Sequence, residues 1–363
     1  MILTAKYLTV FLGTLLLLPL LARMAVRIGL VDYPGRRKRH RGAVPLIGGP
    51  AIFAGVGLGA LVMVEPLRPY GALFAAMGIL LVAGILDDLR DLSARQKFVA
   101  QLLAVATMVT WGKIVITNLG DLTGLGNLVL LRWGLPFTVV ALIGLINAIN
   151  MSDGADGLAS GLSLIALLLL AFSALIVGRI PSARMLLLTV AAVAAFWTLN
   201  MRFPWQSRAR FFLGDSGSML IGLVLTWFSV EVTRGTDGLA PIAAVWFLAL
   251  PLLDMGVVIM RRLGKGRSPF QAGRDHFHHV LLAAGMTPTT TVLTIHGIAL
   301  ALGAFGFFSW RAGVPDFWLF YAFLAVLGVS YFMSFRWLRV IRLLRRRRIR
   351  RNSRRTRGAI REN

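Results

Sequence analysis

The chain has 363 residues, 57% of them hydrophobic, a mean hydropathy of +0.75 and a formal net charge of +24. Soluble domains carry about 45–50% apolar residues, so an ordinary water-soluble enzyme is excluded. No cysteine is present, which also excludes disulfides and thiolate-held zinc or iron–sulfur sites.

Continuous apolar runs of about 20 residues suit helices that cross a bilayer. Eleven occur, at 3–22, 46–64, 70–87, 98–117, 127–148, 158–178, 184–200, 215–233, 239–260, 290–309 and 315–336. They are unbroken rather than alternating, which argues against a β-barrel. The first lacks a basic n-region and a small-residue cleavage site, so it reads as a helix and not a signal peptide. The expected fold is all-α, a polytopic membrane bundle of about eleven helices over residues 1–338 with an arginine-rich tail at 339–363. Eleven spans put the loops near 23–45, 88–97, 149–157, 201–214 and 261–289, with the tail, on one side. With Arg336 at the end of the last run, that side holds 31 of the 39 lysines and arginines, so the positive-inside rule makes it cytoplasmic and the N-terminus external. The tail suits topology and anionic lipid rather than nucleic acid, because no aromatics are interleaved with its arginines. No internal repeat points to a transporter of inverted halves.

Asp87 and Asp88 close the third run in GILDDLRD. A carboxylate at the edge of hydrocarbon is costly without partners and by default marks function. On a helix Asp87 and Asp91 share a face and Asp88 points about 100° away. The pair reads as a base beside a metal ligand, or as a helix end paired with Arg90, Arg95 and Lys97. In NAINMSDGADGLASG (147–161), Asn147 and Asn150 precede Asp153 and Asp156, which alternate with Gly154 and Gly157. Glycine admits close backbone approach, and Asn and Asp supply oxygen and amide contacts. The missing downstream Glu rules out an EF-hand loop. An ordinary turn does not account for the two asparagines ahead of it, so this segment is expected to bind ligand.

FFLGDSGS (211–218) puts Asp215 at the start of the eighth run, where helix N–H groups favour anions and phosphate binding is expected. Asp215 is either a cap or a magnesium ligand whose cation reconciles a carboxylate with a bound phosphate. Phe212 either stacks on a base or packs. Asp254 lies inside an apolar run, about 10 Å below Arg261 at 1.5 Å per residue. A hydrogen bond within the bundle is its leading reading and proton handling the second. The loop RRLGKGRSPFQAGRDHFHHVLLAAG (261–285) carries Asp275 and the histidines His276, His278 and His279. Their spacing fits no usual zinc motif. With Arg262 and Arg274 they read as phosphate contacts through charge-assisted hydrogen bonds. DYPGRRKRHRGAVPLIGGP (32–50) adds Arg36, Arg37, Lys38, Arg39, His40 and Arg41, which topology alone would also explain. Carboxylates for a divalent cation, a basic ring and glycine-lined turns suit phosphoryl transfer. There is no P-loop and no kinase signature, so nucleotide hydrolysis is not expected as an energy source.

The strings GRRKRHRGAVPLIGG, GILDDLRD, NAINMSDGADGLASG, FFLGDSGSMLIG, PLLDMGVVIMRRL and SPFQAGRDHFHHVL, in this order, resemble the polyprenyl-phosphate N-acetylhexosamine-1-phosphate transferases. The likeness runs from about residue 30 to 285. It implies a bacterial inner-membrane enzyme with a cytoplasmic active site. Such an enzyme transfers a sugar 1-phosphate from a UDP-sugar to a polyprenyl phosphate, with Mg2+ or Mn2+, and releases UMP. PLIGG in place of PTMGG, together with the RKRH, MSDGADG and HFHH segments, is most similar to the WecA-type branch. That branch implies UDP-N-acetylglucosamine, undecaprenyl phosphate and the first step of O-antigen or related surface glycans. Phe277 stands where HIHH is more usual there. Branches using UDP-linked GalNAc, FucNAc or MurNAc-pentapeptide share the motifs.

By resemblance, Asp87 matches the carboxylate proposed to deprotonate the lipid phosphate, and Asp88 its catalytic neighbour. Asp215 matches the metal ligand, with Phe212 near the uracil. Asn150, Asp153 and Asp156 match residues that contribute to nucleotide and metal binding. Arg274 and residues 276–279 match the part that meets the sugar–diphosphate, and Lys38, His40, Asn147 and Arg262 complete the candidate substrate contacts. Direct displacement and a two-step path through an aspartyl-phosphate are both compatible with the sequence, as is a homodimer. A cation-coupled transporter, the competing class, would carry its acids near the bilayer midplane rather than at one face.

Overall fold

Each of the eleven apolar runs contains a helix in the computed structural model, which describes residues 2–34, 42–63, 68–235, 237–268, 273 and 275–336. In chain order the elements are α1 (Ile2–Ile28), β1 (Val31–Asp32), β2 (Val44–Pro45), α2 (Gly48–Met63), α3 (Gly71–Arg90), α4 (Ala94–Thr110) and α5 (Gly134–Ser152). There follow α6 (Leu158–Ile176), α7 (Ile180–Asn200), α8 (Gly214–Val232), α9 (Pro241–Phe247), α10 (Ala249–Leu263), α11 (Phe277–Ala283) and α12 (Pro288–Arg311). The last helix is α13 (Asp316–Arg336). The all-α expectation holds, and the chain is a multi-pass membrane protein.

The number of spans is a different matter. Among the described residues seven helices are long and apolar enough to cross a membrane, or eight if α9 and α10 form one span. The helices α2 and α4 have only 16 and 17 residues. The expected run at 239–260 is not one rod: α9 and α10 meet at Leu248 with a bend of 81°. Pro251 supplies the cause, since its ring clashes with the carbonyl four residues earlier, and that residue, Phe247, is where α9 stops. The expected runs at 98–117 and 127–148 also shift. The first ends at Thr110, and the connection to α5 is tied by an isolated bridge between Asn118 and Val129.

All residues of α8 except Asp215, Ser229 and Glu231 are buried. A helix apolar on every side belongs in the interior, and α2, α3, α5 and α6 pack around this one. Several hydroxyls inside the bundle return their hydrogen bonds to their own helix, as Thr138 to the Gly134 carbonyl (2.6 Å) and Ser163 to the Ala159 carbonyl (2.8 Å). No buried donor is then left facing hydrocarbon at these positions.

A small feature escaped the sequence reading. β1 and β2 pair antiparallel, Val31 with Pro45 and Asp32 with Val44, and so frame the basic loop at its base. Leu46 bridges Phe212, whose N–H donates to the Pro45 carbonyl (2.9 Å). The base of the basic loop is thus fastened to the FFLGD segment. Lys38 and His40, with the other bases of that loop, lie outside the described residues, as do Arg274 and the tail from 339 onward.

Candidate active site

The C-terminus of α3 and the N-terminus of α4 build the first wall of the site. Asp91 takes a left-handed conformation (φ 50°) and ends α3, its N–H bonding the Asp87 carbonyl. Two residues on, Ser93 opens α4 with a capping box: Ser93 accepts from the Gln96 N–H and Gln96 accepts from the Ser93 N–H. This tight reversal folds Lys97, in the first turn of α4, back over Asp87. The ammonium pairs with the buried Asp87 carboxylate and also reaches Asp215 Oδ2 at 3.1 Å. Asp87 Oδ1 accepts from the Leu92 N–H (2.8 Å). The paired-acid alternative is therefore realised by Lys97, and it joins two of the acidic clusters rather than neutralising one.

Asp88 points toward α8. Its carboxylate accepts from the Asp215 N–H (2.9 Å), the Ser216 N–H (3.3 Å) and the Ser216 hydroxyl (3.0 Å). It caps that helix from a segment 127 residues away in sequence. Two of the N–H groups that the start of α8 is expected to offer a phosphate are thereby taken by a protein carboxylate. The arrangement needs α3 and α8 in near contact, which Gly84 provides. A Cβ there would lie 2.5 Å from the Ser216 nitrogen and 2.8 Å from its Cβ.

Asp215 Oδ1 accepts from Asn150 Nδ2 (2.6 Å), and the same amide reaches the Ser218 hydroxyl (2.9 Å). Asn147, one turn earlier, has a different role. It exchanges hydrogen bonds with Gln101 of α4 (2.8 and 3.3 Å), which locks α4 against α5. Asp156 is tied to another segment: its Oδ2 accepts from Arg202 Nε (2.7 Å) and from the Ala209 N–H (3.1 Å). Asn200 accepts from the Gly157 N–H and the Ser160 hydroxyl and donates to the Phe211 carbonyl. Lys97 was named only as an ion-pair partner, and Gln101, Asn200 and Arg202 were not singled out. Lys97, Asn200 and Arg202 lie at or near helix ends, the same signal that marked the acids, whereas Gln101 lies in the middle of α4.

Asp153 is half-buried, and no hydrogen-bond donor reaches its carboxylate among the described residues. Burial, and then the charges of Asp215, Asp88 and Asp156, push it up to about 8. A carboxylate surrounded by carboxylates calls for a cation.

The histidine loop meets this turn. His278 is buried and packs against Gly154, where any side chain would strike its ring. Its ring stacks on His276 at 6.0 Å between centroids, with 9° between planes, and lies 4.1 Å from His279. Burial, aided by His279 and His276, lowers His278 to about 3. In this environment the ring is neutral, and its buried Nε2 meets no hydrogen-bond partner among the described residues. Asp254 has the partner it required: Oδ2 lies 2.8 Å from His276 Nδ1, and Oδ1 accepts from the Phe277 N–H at 2.8 Å. Asp275, the fourth acidic cluster, pairs with Arg261 (3.3 Å) and at longer range with Arg262 (4.0 Å). It braces the loop away from the other acids.

Among the described residues no three carboxylates or imidazoles converge to cage a metal unaided. Magnesium does not require this, since it takes one or two carboxylates together with substrate phosphates and water. Asp153 and Asp215 could hold such a cation: among the described residues the charges acting on Asp153 are acidic, and Asp215 is oriented by Asn150.

Comparison with known proteins agrees with this arrangement. Residues 70–233, from α3 through α8, match the model for glycosyl transferase family 4. The chain belongs to this family. It is 35% identical over 300 residues to the undecaprenyl-phosphate alpha-N-acetylglucosaminyl 1-phosphate transferase of Escherichia coli K12, covering 82% of this chain and 81% of that protein. Proteins of the same name from Yersinia pestis (34% over 315 residues, 86% of each chain) and Haemophilus influenzae (35% over 298 residues, 82% and 84%) are similarly related.

Proposed function

We propose that this chain transfers N-acetylglucosamine 1-phosphate from UDP-N-acetylglucosamine to undecaprenyl phosphate and releases UMP. The observation that carries the reading is the meeting of Asp87, Asp88, Asn150, Asp153, Asp215 and Lys97 at one end of the bundle, with the histidine loop against them. The names of the related proteins supply the donor and the acceptor. The basic bias of the loops on that side, 31 of 39 lysines and arginines, supports a cytoplasmic site in a bacterial inner membrane.

In the reaction an oxygen of the lipid phosphate attacks the β-phosphorus of the donor. The bond from that phosphorus to the bridging oxygen breaks, UMP leaves, and a lipid-diphosphate sugar forms. One phosphoanhydride is exchanged for another, so no ATP is needed. A phosphate monoester loses its second proton near pH about 6, so the demand for a base at neutral pH is small. Asp87 takes the residual proton, and its main task is to hold Lys97 where the ammonium faces incoming phosphate charge. Asp88 fixes the first turn of α8 and with it Asp215. Mg2+ or Mn2+ held by Asp215 and Asp153 would draw charge from the donor diphosphate. His276, His279 and Arg262 face the sugar–diphosphate, and Phe212, fastened beside Pro45, lies toward the base.

Release of UMP by purified protein with undecaprenyl phosphate and Mg2+ tests the reading, with UDP-GlcNAc, UDP-GalNAc and UDP-MurNAc-pentapeptide compared. Lipid-dependent release with UDP-GlcNAc alone is expected. Release only with another donor would overturn the sugar, and no release with any would overturn the reaction.

A further inference from the structure

We propose that Asp254 is a positioning residue for the histidine loop, holding a proton on His276 Nδ1 and anchoring the start of α11 so that the donor meets the imidazoles in one fixed arrangement. The proposal rests on the UDP-sugar reading above. Asp254 stands in the apolar helix α10, where an acid requires a reason. Both of its oxygens go to one short segment, Oδ2 to His276 Nδ1 and Oδ1 to the Phe277 N–H, each at 2.8 Å. An ionised carboxylate only accepts hydrogen bonds, so the bonded ring nitrogen must carry the hydrogen. That assigns the His276 tautomer and leaves Nε2 as its other functional atom.

The effect does not stop at His276. Its ring lies nearly parallel to that of His278, which abuts Gly154 in the turn bearing Asp153. Asp254, His276, His278 and Gly154 therefore form a continuous packed line from the membrane helix to the acidic centre. From the other side Arg261, at the end of α10, holds Asp275 just ahead of His276 through side chain and carbonyl, both at 3.3 Å. The loop is clamped to α10 on either side of its first histidine.

Two measurements test this. The first uses the wild-type protein labelled with 15N in its five histidines, with His276 assigned by its loss in His276→Gln. Long-range 1H–15N spectra are expected to show a proton on His276 Nδ1; an unprotonated Nδ1 would overturn the proposal without any change at Asp254. The second is Asp254→Asn, which keeps an acceptor for the Phe277 N–H but offers an N–H to Nδ1 and so reverses the tautomer. By analogy with carboxylate–histidine pairs at metal sites, KM for UDP-GlcNAc is expected to rise on the order of tenfold. KM for undecaprenyl phosphate stays unchanged. A folded variant with an unaltered donor KM, or with both KM values raised alike, would overturn it. Wild-type protein that releases no UMP would instead sink the proposed function, and the tautomer measurement would still decide the role of Asp254.

Discussion

Gly84 offers a sharp test of how the site is held. A Cβ at this position would lie 2.5 Å from the Ser216 nitrogen, against an ordinary contact of 3.4–4 Å, and the obstruction is helix backbone rather than a movable side-chain end. In Gly84→Ala the first turn of α8 must therefore retreat by about 1 Å. That movement stretches the bonds from Asp88 to the Asp215 and Ser216 N–H groups, now 2.9 and 3.3 Å, beyond useful length. Overpacking of this kind costs about 1–3 kcal/mol of stability. A displacement of ~1 Å at a reacting centre can lower turnover about 100-fold. The assay is UMP release together with thermal unfolding in detergent, with Gly78→Ala as the control. Gly78 lies on the same helix with open space around it, and alanine there should be neutral or stabilising by up to about 1 kcal/mol. Wild-type turnover in Gly84→Ala would refute the argument that α3 sets the position of Asp215.

Lys97→Met removes the ammonium from two acids, one of them buried. Loss of a partner from a buried pair costs about 3–5 kcal/mol and from an exposed pair ~0–1, so the partly exposed lysine should give about 2 kcal/mol by thermal unfolding. Turnover should fall at least about 100-fold. Asp215→Asn should keep the fold, since Asn150 still has an acceptor, while kcat drops about 10²–10³-fold; a variant with unimpaired UMP release would remove Asp215 from the chemistry. For Asp153 the sign follows from its raised value of about 8. Between pH 4 and 8 the folded form retains a proton that the unfolded chain has lost, so this group makes stability fall as pH rises, by at most about 1.4 kcal/mol per pH unit. In EDTA the melting temperature of wild type should decline more steeply over that window than that of Asp153→Asn. Mg2+, which binds the ionised form, should shrink the difference, and identical slopes for the two proteins would refute the assignment.

Much of this was legible in the sequence because the signals are local. Apolar length located the helices, and acids at the ends of apolar runs located the site. Even the pairing of Lys97 with Asp87 was readable, ten residues apart across a short turn. What the sequence did not disclose depends on contacts between distant segments. Nothing in FFLGDSGS says that its N–H groups are already capped by Asp88, and nothing in NAINMSDG separates Asn150, which orients Asp215, from Asn147, which pairs with Gln101. The break at Leu248 was foreseeable from Pro251, but hydropathy averages across a bend. The two-residue strands are too short to show a period.

The helices differ sharply in how they are held, and this sets an order of detachment. The core of α13 has only 6% of its most apolar window buried, whereas nearly all of α8 is enclosed by its neighbours. Pulled from the C-terminus out of a bilayer, the chain would give up α13 first, against the Trp246 donation to the Leu319 carbonyl and one apolar cluster in which Leu319, Phe323 and Leu327 pack with Ile242, Trp246 and Leu253. The next segment to yield is α12, whose His296 grips the Leu158 carbonyl at the start of α6. Asp87, Asp88, Asp153 and Asp215 themselves would feel the load only after both had left, so force traces should show two early rips that spare the acidic centre.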